Sequence, residues 1–182
     1  MAKLLVVVIW VMWICPYLFR APKIQRRQSV TVAGPSLVGL LLESAGIFIV
    51  WIFRVPGGWR ESPPLLAAAL ILGVIGDVLM WTAITNLGRQ FRIQAGLYQD
   101  HQLVRSGPYA VVRHPIYASL LAMTLATGLL QTPWLWLLVA LAVFVVGTEI
   151  RVRTEDRLLA SRFGGEFAEY KKTVPAYLPL VR

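Results

Sequence analysis

Apolar residues gather into five long stretches, with the polar residues collected between them: Leu4–Phe19, Pro35–Phe53, Leu65–Thr85, Ile116–Leu130 and Trp134–Gly147. Several approach or exceed the roughly 18 apolar residues that mark a membrane span. The pattern predicts an all-α integral membrane protein with about five transmembrane helices. It reads as one polytopic domain over residues 1–182. Three spans lie within residues 1–85, and residues 86–182 carry a helical hairpin, 116–147, and a polar tail. The first stretch has a rival reading as a secretory signal, with Lys3 as its charged start. Phe19-Arg20-Ala21 is a poor cleavage site, so a retained helix is expected. Gln131-Thr132-Pro133 is too short for anything but a tight helical turn. Ile116–Leu130 covers about 22 Å at ~1.5 Å per residue, less than the ~30 Å hydrocarbon core. The last two helices therefore either extend into the flanking polar segments or do not cross fully.

Charge sharpens this picture. The chain is 57% hydrophobic, 15% charged, and carries a net charge of +9. About 25% charged residues is usual for soluble domains. Arg20, Lys23, Arg26 and Arg27 follow the first stretch, and Arg89, Arg92, Arg105 and Arg113 follow the third. Arg151, Arg153, Arg157, Arg162, Lys171, Lys172 and Arg182 lie in the tail, leaving only Lys3, Arg54 and Arg60 on the opposite side. The positive-inside rule then puts the N-terminus outside and the C-terminus in the cytoplasm. The basic excess is a topology signal, and no nucleic-acid partner is expected. Most of the tryptophans fall near predicted span ends, where interface anchoring explains them. Cys15 is the single cysteine and reads as a buried, inert thiol. With one cysteine and two histidines no zinc pattern can be assembled, and no metal is expected. No Gly-x-Gly-x-x-Gly or Walker loop is present.

Chemistry is expected in the two polar stretches, Asn86–Pro115 and Glu149–Arg182. The first contains Gly107-Pro108-Tyr109-Ala110-Val111-Val112-Arg113-His114-Pro115-Ile116-Tyr117. Pro115 fits the first turn of a helix, where its missing N–H costs nothing. It pushes His114 out of the helical region. His114 then sits at a helix N-terminus, a setting that suits a carboxylate or phosphate. A plain helix cap flanked by interface aromatics explains the same spacing equally well. In the second stretch Arg151 and Glu155 are four apart and share a helix face. On spacing alone they are a solvated ion pair worth only ~0.3–0.5 kcal/mol. Glu43 and Asp77 fall inside predicted spans, where ionisable groups are expensive and often functional. They line a polar path, lie near span ends or pair with arginines.

Several elements recur together. Gln94, His101-Gln102-Leu103-Val104, Gly107-Pro108-Tyr109 and Arg113-His114-Pro115-Ile116-Tyr117 are followed by Arg151-x-x-x-Glu155-Asp156-x-x-Leu159, Phe163-Gly164, Tyr170 and Val174-Pro175-x-x-Leu178-Pro179. In this order they resemble the signature of the isoprenylcysteine carboxyl methyltransferase family, over about half the chain. The arginine-histidine-proline-x-tyrosine element is shared with related membrane phospholipid methyltransferases. Glu155-Asp156 departs from the family's usual pair of glutamates, and Phe167 stands where a tyrosine is common.

The resemblance implies methyl transfer from S-adenosylmethionine, with S-adenosylhomocysteine as product, at the cytoplasmic face of the bilayer. It implies cofactor contacts at Gln94, His101, Gln102, Leu103, Val104, Tyr109, His114, Pro115, Ile116, Tyr117 and Glu155. Arg151 would bind the methyl acceptor, and Arg151 and Glu155 are the catalytic candidates. Physically, His114 at a helix end suits the cofactor's carboxylate, and Glu155 its amine or ribose hydroxyls. Tyr109 or Tyr117 suits the sulfonium through cation–π contact, and the backbone of Leu103 and Val104 suits adenine. The expected acceptor is lipophilic, a prenylcysteine-like carboxylate, with its lipid tail among the spans. A phosphatidylethanolamine amine is the alternative and would need Glu155 or Asp156 as a base. A non-catalytic lipid-binding or transport protein is a second alternative, and a nicotinamide-dependent reductase a more distant one. The natural acceptor, the oligomeric state, and the choice between a bacterial plasma membrane and the endoplasmic reticulum are not legible in the residues.

Overall fold

The structure, a computed structural model, describes residues 1–20, 31–32, 34–91, 96–97 and 102–178. Gln94 and His101 lie outside the described residues. Six α-helices account for most of the rest: α1 Ala2–Arg20, α2 Pro35–Ile52, α3 Pro63–Leu87, α4 Pro115–Gln131, α5 Trp134–Phe163 and α6 Gly165–Thr173. Thr31–Val32 (β1) pairs antiparallel with Gly96–Leu97 (β2), and short 3-10 turns occupy Gly88–Gln90 and Gly107–Ala110. Prolines open α2, α3 and α4 at the first helical positions, where no N–H is missed. Gly88 and Gly164 close α3 and α5 with positive φ, the backbone state glycine adopts freely.

Among the described residues four helices, α1, α2, α3 and α5, are long and apolar enough to cross a membrane, and α4 is a shorter apolar helix. The chain is a multi-pass membrane protein with the expected all-helical architecture. The expected five spans thus become four long helices and one short one. α5 resolves the expectation for the last pair by extension, since its 30 residues reach about 45 Å at ~1.5 Å each. α4 is short because it is interior. Most of its residues are buried and none is exposed, whereas α1, α2, α3 and α5 expose Val8, Leu41, Ile71 and Leu138 on their outer faces. In water such faces would be an aggregation liability; in a bilayer they meet lipid.

The link between α4 and α5 is as short as expected, yet the two helices do not pack chiefly on each other. α5 packs on α2, and α4 on α3. The α2–α5 seam is made by small residues. On α2, Ser36, Gly39, Glu43, Gly46 and Val50 form the buried stripe. A Cβ at Gly147 would stand 2.6 Å from the Gly39 carbonyl oxygen, and one at Gly46 would stand 2.7 Å from the Ala140 carbonyl oxygen. Backbones this close gain packing that lipid cannot replace. The same close approach gives Glu43 and Arg151 a common level in the bundle.

The tryptophans depart from the sequence expectation. Trp10 donates to Thr127 at 2.9 Å and Trp13 to Ser119 at 3.2 Å, tying α1 inward to α4. An indole N–H in an apolar setting needs an acceptor, and these hydroxyls, which donate to the Met123 and Ile116 carbonyls, keep a lone pair to supply one. At the start of α5 Trp134 is exposed, and Trp136 is partly exposed and stacked on Phe53. Asp77 of α3 is half-buried, and its Oδ1 has no hydrogen-bond partner among the described residues.

Candidate active site

The polar residues converge where the N-terminus of α4 meets the C-terminal half of α5. Pro115 starts α4 and leaves His114 outside the helix at φ −125° and ψ 64°, as the proline requires. Upstream, Ser106 donates to Asn86 Oδ1 at 3.1 Å, and Gly107 turns with φ +59°. A Cβ at Gly107 would stand 2.5 Å from Asn86 Nδ2. The 3-10 turn carrying Tyr109 is thereby fixed to the end of α3. Downstream, residues 174–178 form a strap that returns over the site. The backbone N–H groups of Arg113 and His114 donate to Pro175 and Ala176 carbonyls, each at 2.8 Å. Tyr177 packs with Tyr117 and Val152 and donates to Glu149 at 2.8 Å.

His114 is the centre of the cluster. Its Nε2 lies 3.0 Å from Asp156 Oδ1, and its Nδ1 lies 3.1 Å from Glu155 Oε2. Facing two carboxylates, both ring nitrogens serve as donors, so the ring is an imidazolium. Burial alone would lower its pKa; the hydrogen bonds it donates to Asp156 and Glu155, with their charges, outweigh burial and raise it. Asp156 also binds Arg113 at 3.1 Å and Lys171 at 2.9 Å. Arg113 spends its other terminal nitrogen on the carbonyls of Val174 and Lys171. Asp156 therefore joins α4, α5, α6 and the strap.

Tyr117 connects this cluster to a second one. Its hydroxyl donates to Glu155 Oε1, and its ring lies 4.7 Å from the Arg151 guanidinium carbon. Arg151 in turn donates to Glu43 at 2.6 Å, and Thr148 donates to the other Glu43 oxygen at 2.9 Å. Glu43 is 1% exposed. Such a pair holds its geometry because breaking it would strand a charge away from water.

Several sequence expectations change here. His114 does not present a free imidazole to an anion, because both nitrogens are taken by carboxylates. The pairing expected between Arg151 and Glu155 is replaced by Arg151–Glu43, while Glu155 turns to His114 and Tyr117. One ring face of Tyr117 is covered by the Arg151 guanidinium. Tyr109 is buried, burial pushes its phenol upward, and its carbonyl accepts from Tyr170 at 2.5 Å. Gln102, Leu103 and Val104 lead into the turn without regular structure, with Gln102 exposed and Leu103 and Val104 half-buried. Pro115 is buried and Ile116 half-buried on the first turn of α4. Arg113 lies inside a quoted motif without a role, and Asp156 carries one only as a base for the phosphatidylethanolamine alternative. Glu43 had only the general signal of a charge within a span.

Together the interior helix, the lipid-facing outer helices and this enclosed charged cluster define a membrane-embedded protein with a polar site at one end of its bundle. A sequence model of the isoprenylcysteine carboxyl methyltransferase family matches residues 69–161, and the chain belongs to that family. The cobalt-zinc-cadmium resistance protein CzcN of Cupriavidus metallidurans is 36% identical over 131 residues, covering 69% of this chain and 54% of that protein. The protein-S-isoprenylcysteine O-methyltransferase of Schizosaccharomyces pombe is 32% identical over 109 residues, covering 59% of this chain and 46% of that enzyme. The chain thus spans about half the length of these relatives. A solved structure described as the eukaryotic intramembrane Ras methyltransferase ICMT superposes with a TM-score of 0.55 at 20% identity. It covers 96% of this chain and 63% of the solved one, and supports the fold.

Proposed function

We propose that this protein is a membrane methyltransferase that uses S-adenosylmethionine to esterify the carboxylate of a prenylcysteine-like acceptor. The observation that carries the reading is the double engagement of Tyr117. Its hydroxyl binds Glu155, the cofactor-side carboxylate, while its ring carries Arg151, the acceptor-side cation. Donor and acceptor sites so placed share a boundary, as a direct transfer demands. Family membership supports the reaction class.

The donor set fits the cofactor. Of the three groups joined at His114, only the Glu155 side chain is appreciably open, at 26% against 5% for His114 and 7% for Asp156. Each carboxylate oxygen has two lone pairs, so Glu155 retains acceptor capacity for an ammonium or ribose hydroxyl. Gln102, Leu103 and Val104 would border adenine, with Tyr109, His114, Pro115, Ile116 and Tyr117 forming the wall. Gln94 and His101 would complete the cofactor contacts. When bound, the cofactor supplies a methyl group activated on a sulfonium. His114, fixed by two carboxylates, orients Glu155. Arg151, fixed by Glu43, holds the acceptor carboxylate with the planar geometry guanidinium favours. That carboxylate is ionised at neutral pH, so the chain need supply no base.

The phosphatidylethanolamine reading has no comparable support. The carboxylates it would need as a base are paired with the cations His114, Arg113 and Lys171, and such pairing weakens a carboxylate as a base. The lysine and arginine distribution supports an outside N-terminus and a cytoplasmic site in a plasma or endoplasmic reticulum membrane. The packing of α2 on α5 and of α3 on α4 supports a single unit spanning both halves of the chain. The test is transfer of labelled methyl from S-adenosylmethionine into membrane extract, followed by alkali. Label released as methanol is expected; alkali-stable label overturns the carboxylate reading.

A further inference from the structure

We infer that Glu43, on a span outside the matched family region, is a positioning residue that sets the Arg151 guanidinium for the acceptor. The inference rests on the proposed acceptor role of Arg151. It extends the site to the N-terminal half of the chain, since residues 69–161 are the family match.

Three observations converge. Glu43 lies in the middle of an 18-residue apolar helix, 1% exposed, with Oε2 at 2.6 Å from Arg151 and Oε1 at 2.9 Å from Thr148. A charge there is expensive unless paired, and both carboxylate oxygens are engaged. Next, the helix gives way to the arginine stem. A Cβ at Gly39 would stand 2.5 Å from Arg151 Cγ, so even alanine at that position would force the stem to move. Finally, the guanidinium lies over the Tyr117 ring at 4.7 Å, and Tyr117 binds Glu155. Glycine under the stem, carboxylate at one nitrogen and ring beneath the plane fix the long side chain in position and orientation. An arginine held only to stabilise the bundle would need the counter-charge, but not a stem channel and a ring leading to the cofactor-side carboxylate.

The test uses the full chain in detergent and two variants, Glu43→Gln and Glu43→Asp. The second keeps the charge but withdraws it by one methylene, so it tests placement even where the first folds poorly. Two readouts are taken. In protein with ¹⁵N-labelled arginine, the Arg151 terminal nitrogens should give separate, hindered signals that merge in both variants. With N-acetyl-S-farnesylcysteine, the acceptor KM should rise about tenfold in both, while S-adenosylmethionine affinity stays within twofold. Unchanged Arg151 signals overturn the inference, as does an unchanged acceptor KM in an active enzyme. A parallel loss of cofactor affinity also overturns it, because it marks a general structural role. Merged signals in variants of a protein that methylates no such acceptor support the hold of Glu43 on Arg151, and overturn the proposed substrate instead.

Discussion

His114 Nε2 lies 3.0 Å from Asp156 Oδ1, with both side chains buried. Glu155 takes the opposite ring nitrogen, so a protonated imidazole is enclosed by carboxylates. Because the pKa of His114 is raised in the fold, the native state keeps a proton that the unfolded chain releases above about pH 6.5. This stabilisation is complete below that pH and is lost as pH rises through the elevated native value. The melting temperature in detergent should therefore fall across that interval, and His114→Gln should lose the slope. A variant with the wild-type pH profile would refute the imidazolium assignment.

Asp156→Asn removes the charge shared by His114, Arg113 and Lys171. Loss of one partner from a buried pair costs about 3–5 kcal/mol, so a large drop in thermal stability is expected. Lys171 is 54% exposed on its side chain, and Lys171→Ala should cost about 0–1 kcal/mol. Comparable melting losses in the two variants would contradict the central place given to Asp156.

The α2–α5 seam makes a packing prediction. Gly147→Ala pushes a methyl into the Gly39 carbonyl and should destabilise by about 1–3 kcal/mol, the usual cost of overpacking. Gly165→Ala meets nothing within 4 Å and should be neutral or slightly stabilising. Detergent melting of the two variants side by side decides it.

Arg151→Ala should weaken use of the acceptor while leaving cofactor binding intact. Hydrogen bonds to charged groups contribute about 1.5–3 kcal/mol, which corresponds to roughly 10- to 100-fold in acceptor kcat/KM. Titration with S-adenosylhomocysteine supplies the control. Equal losses on both sides would remove Arg151 from the acceptor site.

Local chemistry made much of the fold readable. Pro35 and Pro115 mark helix starts, and the apolar runs locate α1 to α4 to within a few residues, whereas α5 continues past its apolar run from Gly147 to Phe163. The His114–Tyr117 element and Glu155 do meet in space. Spacing along one helix offers Glu155 as the partner of Arg151, yet the ion pair is made with Glu43. The true partner comes from α2, through a register set by Gly39, Gly46 and Gly147 that no local pattern encodes. The same reason hid the packing of α4 on α3, which depends on which neighbours fit, not on which helix follows next. Position near a span end says nothing of a tryptophan's partner, and the N–H groups of Trp10 and Trp13 reach hydroxyls on α4.

The strap over His114 also orders events in time. The carbonyls that cap Arg113 and His114 belong to Pro175 and Ala176, and the Arg113 side chain waits for Val174, 61 residues further along. During synthesis α4 must enter the bilayer with these donors still answered by water. The polar end of the bundle closes only after α5 and α6 have followed, so the helices that meet lipid are in place before the site exists.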